Sequence, residues 1–134
     1  MDRRETQTDK ASKSIFLVDD DPFIRLLFKR VVIQAGYTLA GECDNGEDAV
    51  TLYSALKPDL TLLDVSMPNM NGVEALEKIR KTDREARVVM LTATADQDII
   101  QTALNAGAKK CIRKDLPLNE IVETIHSVFS TEAP

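Results

Sequence analysis

Scarcities in this chain remove whole classes of function. Its two cysteines, Cys43 and Cys111, lie far apart and fit no metal-ligand spacing, so no disulfide framework is implied. They read as reduced thiols of a cytoplasmic protein. The single histidine, His126, falls on the last helical segment, away from the other polar clusters, and reads as structural or solvated. Positive charge is short: 17 basic against 22 acidic residues leave a net charge of −5, with no broad field to attract nucleic acid or anionic lipid. Residues 1–13 contain no long apolar run, so they read as a disordered lead-in rather than a signal peptide or membrane span. Residues 130–134 form a short tail. What remains, residues 14–129 of a chain that is 43% hydrophobic, suits one domain with one core.

Within that body one unit recurs. Short β-branched apolar runs stand at 14–19, 37–43, 60–65, 86–93 and 109–113, and read as strands. Each is followed by a segment with apolar residues at helical spacing, as in Leu118, Ile121, Val122, Ile125 and Phe129. Pro22 suits a first helical turn, Gly36 and Gly107 suit helix ends, and Pro58 stops the second helix. Strands alternating with helices predict a doubly wound α/β domain: a parallel sheet covered by helices on both faces. LTLLDV and RVVML are nearly continuous apolar runs and are expected at its centre.

In such sheets the functional site lies beyond the carboxyl ends of the strands. There the sequence places Asp19, Asp20 and Asp21 after strand one, Asp64 after strand three, Thr92 after strand four and Lys114 after strand five. Carboxylates from two strands would meet and repel, so a cation is expected between them. Hard oxygen ligands with no histidine or cysteine beside them favour Mg²⁺. A carboxylate beside Mg²⁺, a lysine and a hydroxyl is arranged to attack phosphorus and to hold the phosphoryl oxygens.

These residues carry a resemblance. The runs VDD (18–20), DVSMPNMNG (64–72) and LTA (91–93), with the late Lys114, resemble the signature of bacterial two-component response-regulator receiver domains of the single-domain, chemotaxis-regulator-like kind. The likeness covers roughly residues 14–129. It implies a (βα)5 flavodoxin-like domain with sheet order 2-1-3-4-5. It implies that Asp64 accepts a phosphoryl group from a histidine kinase or histidine phosphotransfer protein, and that Asp19, Asp20, Asp64 and the Ser66 carbonyl hold Mg²⁺. Thr92 would move toward the phosphoryl group and Lys114 would pair with it, making the chain a phosphorylation-activated switch rather than an enzyme beyond its own phosphorylation and dephosphorylation. Pro68 and Gly72 would shape the loop after Asp64, and Asp21 would cap the helix starting at Pro22. Output would come from an effector protein docking on the face of helix four, strand five and helix five, including Ile99, Leu104, Cys111 and Ile112.

Two positions depart from the family pattern. Cys111 stands where an aromatic switch residue is usual, so coupling from Thr92 must use smaller packing changes or be weak. Asp115 replaces the proline after the lysine, so a trans Lys114–Asp115 bond is expected. Other readings compete less well. A Mg²⁺-dependent aspartyl phosphatase of the haloacid-dehalogenase type wants a general-acid aspartate where Ser66 stands. A flavodoxin-like cofactor module would meet three aspartates where an anionic phosphate should sit. A degenerate receiver acting only as an interaction scaffold stays open because of Cys111.

Overall fold

The computed structural model describes residues 13–67 and 69–130. The expected lead-in and tail lie almost wholly outside these residues, and so does Pro68. Five strands, β1 (Ser14–Val18), β2 (Thr38–Cys43), β3 (Leu60–Asp64), β4 (Val88–Thr92) and β5 (Lys110–Arg113), alternate with five helices. These are α1 (Pro22–Gln34), α2 (Gly46–Leu56), α3 (Gly72–Thr82), α4 (Gln97–Asn105) and α5 (Leu118–Ser130). All strand pairings are parallel, in the order β2-β1-β3-β4-β5. The doubly wound architecture and its sheet order are as expected. Among the described residues no helix is long and apolar enough to cross a membrane.

Period-two alternation divides the core into two layers. Ile15, Leu17, Leu62, Val89 and Leu91 face α1 and α5, where Phe28, Val32, Ile121 and Ile125 meet them. Phe16, Val18, Leu63, Val88 and Met90 face α2, α3 and α4, packing on Tyr53, Leu76, Ile79 and Ala103. Every residue of β3 and β4 is buried, because both of their faces are covered. The same alternation corrects one expectation. Ile112, placed by the sequence reading on an outward docking face, is only 1% exposed and belongs to the layer under α5. Its neighbour Cys111 points to the other side, half-buried against the α4 layer.

Helix starts are fixed by side chains that satisfy otherwise unpaired backbone donors. Asp21 accepts from the amides of Phe23 and Ile24 with Pro22 in the first turn, the cap expected of it. Asn71 and Glu74 cap each other's backbone at the start of α3. Gly36 and Gly107 follow α1 and α4 with φ of 97° and 112°, a left-handed backbone that a side chain would strain. Among the described residues no peptide bond is cis, so Lys114–Asp115 is trans.

Candidate functional site

The carboxyl ends of β1, β3, β4 and β5 open on a cleft of about 510 Å³, walled by Asp20, Asp64, Ser66, Thr92, Thr94 and Lys114 among others. Parallel register brings these ends level, with Asp64 opposite Leu91 and Thr92 opposite Arg113. Asp19 and Asp64 are buried, with side-chain exposures of 0% and 4%, whereas Asp20 is exposed at the mouth. One carboxylate oxygen from each of the three lies within 4.8 Å of the others. Lys114 bridges the buried two: its Nζ is 2.7 Å from Asp19 Oδ2 and 3.2 Å from Asp64 Oδ2.

Local backbone holds each group in place. Asp19 Oδ1 accepts from the Asp21 amide at 2.9 Å, and Asp64 Oδ1 accepts from the Ser66 amide at 3.1 Å. The Lys114 amide donates to the Thr92 carbonyl at 2.8 Å, tying the ends of β4 and β5 together. Gly72 matters for a steric reason: a Cβ there would stand 2.1 Å from the Asp64 carbonyl oxygen, so only glycine lets α3 begin this close to β3. Gly72 does shape the loop as expected.

The electrostatics are strained. Burial, with the Asp19 carboxylate beside it, pushes the Asp64 carboxyl up to about 6 from its ordinary 3.8, against the opposing pull of Lys114. Burial by itself would depress the Lys114 ammonium, but the two carboxylates outweigh it and raise its pKa. Among the described residues Asp19 Oδ2 is enclosed without an aligned hydrogen bond, although the ammonium lies within ion-pair distance. A buried oxygen with spare capacity, in a donor set made only of oxygens, fits a hard divalent cation such as Mg²⁺.

The structure brings Asp19, Asp20, Asp64, Ser66, Thr92 and Lys114 to one cleft. The Thr92 hydroxyl is engaged within its own loop, accepting from the Thr94 amide at 3.1 Å and donating to the Thr94 carbonyl at 3.0 Å. Cys111 lies outside the cleft, with its Sγ 4.0 Å from the Ile100 carbonyl oxygen. His126 is exposed on α5, where the Tyr37 hydroxyl meets its Nδ1. One neighbour of the site was missed in the sequence. Arg25 Nη1 donates to the Asp19 carbonyl at 2.8 Å, and its Nε pairs with Glu42 on β2 at 3.1 Å. The only signal was its place one helical turn after the Asp21 cap. Asp115, in place of proline, forms a two-pronged pair with Arg113 at 3.1 and 2.7 Å.

Comparison with known proteins agrees with this geometry. The family model described as the response regulator receiver domain matches residues 15–126. The chain belongs to that family, whose members are signalling switches. It is 39% identical over 116 residues to the chemotaxis protein CheY of Thermotoga maritima, covering 87% of this chain and 97% of that one. With the CheY of Bacillus subtilis it shares 34% identity over 116 residues, again 87% of this chain and 97% of the relative. Among solved structures, the complex of CheX with CheY, BeF3 and Mg²⁺ from Borrelia burgdorferi contains a similar chain, with a TM-score of 0.83 at 30% identity, covering 87% of this chain and 88% of that one.

Proposed function

We propose that the protein works as a phosphorylation-activated switch in which Asp64 takes a phosphoryl group from the phosphohistidine of a kinase or phosphotransfer protein. An Asp64 carboxylate oxygen forms the new bond to phosphorus. The phosphorus–nitrogen bond to the donor imidazole breaks, and the leaving ring is neutral once its second nitrogen keeps the proton it carried. The product is an acyl phosphate. Asp19, Asp20, Asp64 and the Ser66 carbonyl would hold Mg²⁺, whose charge, when bound, offsets that of the crowded carboxylates and the phosphoryl oxygens. The CheX–CheY complex with BeF3 and Mg²⁺ supports this reading.

The chain's own groups do the positioning. Lys114, 3.2 Å from Asp64, offers its ammonium to a phosphoryl oxygen and keeps its hold on Asp19. Thr92 gives up its two contacts with Thr94 and donates its hydroxyl to the same group. That shift loosens the start of the β4–α4 loop and repacks Ile99, Leu104 and Cys111 on the face of α4, β5 and α5, where an effector protein docks. With Cys111 rather than a ring on β5, the repacking is small. The switch acts in the cytoplasm.

The observation that carries this reading is Lys114 spanning Asp19 and Asp64 on the floor of the cleft. Incubation with Mg²⁺ and acetyl phosphate is expected to add one phosphoryl group, read by intact mass. An Asp64→Asn variant should stay unmodified. Equal labelling of the two proteins would sink the assignment.

A further inference from the structure

Between α3 and α4 runs an open groove that borders the phosphoacceptor cleft at Val65, Ser66 and Ile99 and extends away from it. From α3, Glu74, Glu77, Lys78 and Lys81 line it, spaced so that they share one helical face. From α4 it is lined by Asp98, Ile99 and Thr102, and by the Ala106 that caps its end, again one face. Two hollows, of about 470 and 680 Å³, adjoin at Glu74. The hollow nearer Asp64 is floored by Val65, Met67, Val73 and Ile99, and among the described residues its charged groups are Glu74 and Asp98. In the farther hollow Lys78, Arg80, Lys81 and Arg84 outnumber Glu74 and Glu77. Charge therefore changes sign along the groove.

The basic end has more cations than helix termination explains. Arg80 and Lys81 sit in the last turn of α3, where they offset its macrodipole. Lys78 and Arg84 lie outside that role. Arg80 is also pinned as a wall: its Nη1 donates to the Ala86 carbonyl at 3.3 Å, and any Cβ at Gly107 would fall 2.3 Å from its Nε.

A groove walled by two helices, apolar at one end and of opposite charge at its ends, matches an amphipathic helix. A free helix is itself stabilised by acidic residues at its N-terminus and basic ones at its C-terminus. We infer that this groove receives such a helix from a partner protein, its apolar edge on Val73 and Ile99, its basic C-terminal end beside Asp98 and its acidic end beside Lys81 and Arg84. The occupant lies antiparallel to α3. Its binding needs no phosphoryl group on Asp64, although Ile99 and Ser66 are shared with the phosphoacceptor cleft.

The test uses a synthetic amphipathic peptide of about 16 residues, ~24 Å long as a helix, with glutamates in its first half and lysines in its second. A second peptide has the same composition with the charges interleaved. Titrated into isotopically labelled protein, the block peptide should shift the backbone amides of Val73, Ile99 and Thr102 and bind at least about fivefold more tightly than the interleaved one. A spin label on its C-terminal residue should broaden amides near Asp98, and one on its N-terminal residue those near Lys81. Asp98→Lys and Lys81→Glu, both surface changes, should each weaken binding roughly threefold or more, while thermal unfolding reports that each variant is folded. Equal affinity for the two peptides, shifts mapping elsewhere, or folded variants that bind unchanged would overturn the inference.

Discussion

Aspartates stand at both ends of this sheet, and the two ends treat them in opposite ways. At the amino ends of the strands, Asp59 Oδ2 accepts from the Ser14 amide at 2.8 Å, and Asp83 takes the Tyr53 hydroxyl at 2.8 Å and the Glu85 amide at 3.0 Å. These carboxylates close off turns and join strands to helices. At the carboxyl ends, Asp19 and Asp64 are more deeply buried, crowd each other and share one lysine. A carboxylate whose oxygens meet fixed neutral donors is part of the scaffold. One held in excess of the available cations keeps room for a ligand.

That contrast can be broken by substitution. The largest effect is expected from Lys114→Ala, which leaves two buried carboxylates without their cation and should cost about 3 kcal/mol in urea unfolding with a chelator present. Added Mg²⁺ should return most of the loss. A chelated variant as stable as chelated wild type would mean that the pair does not depend on Lys114.

Asp64→Asn should act in the other direction. The folded value of about 6 lies above the ordinary 3.8, so ionising Asp64 disfavours the folded state, and stability falls as pH rises from about 4 to about 6. Removing the charge should stabilise the metal-free protein at pH 7 by about 1–3 kcal/mol and flatten that part of the stability profile. Unchanged stability at pH 7 would show that the crowding is relieved by other means. At the opposite end Asp59→Ala removes the acceptor of the Ser14 amide and should destabilise by about 1–2 kcal/mol, with no response to Mg²⁺. The smallest effect belongs to Thr61→Val on β3. The Thr61 hydroxyl is fully buried with no hydrogen-bond partner among the described residues, so the isosteric change should be neutral or stabilise by about 0.5–1 kcal/mol, as a thermal melt would report.

Much of this could be read from the chain because local rules speak loudly here. Apolar runs of five or six residues, spaced by amphipathic segments, leave few choices besides a parallel sheet covered on both faces, and the strand ends then show where Asp19, Asp64, Thr92 and Lys114 must stand. Boundaries moved by a residue or two. The run at 86–93 yields a strand only over Val88–Thr92, since Ala86 bonds back to Asp83 in a turn. Ile112 was misplaced because a four-residue edge strand carries too little pattern to say which of two adjacent apolar residues faces inward. Arg25 was passed over because its partners, the Asp19 carbonyl and Glu42, lie on other elements.

The sequence by itself determined the sheet, its helices and which carboxylates gather at one end, because periodicity and turn chemistry act over a few neighbouring residues. Only the tertiary structure decided that Lys114 spans Asp19 and Asp64, that the Thr92 hydroxyl rests on Thr94, and that α3 and α4 enclose a groove of changing charge. Those facts depend on distances between side chains remote in the chain, which are set by packing and burial.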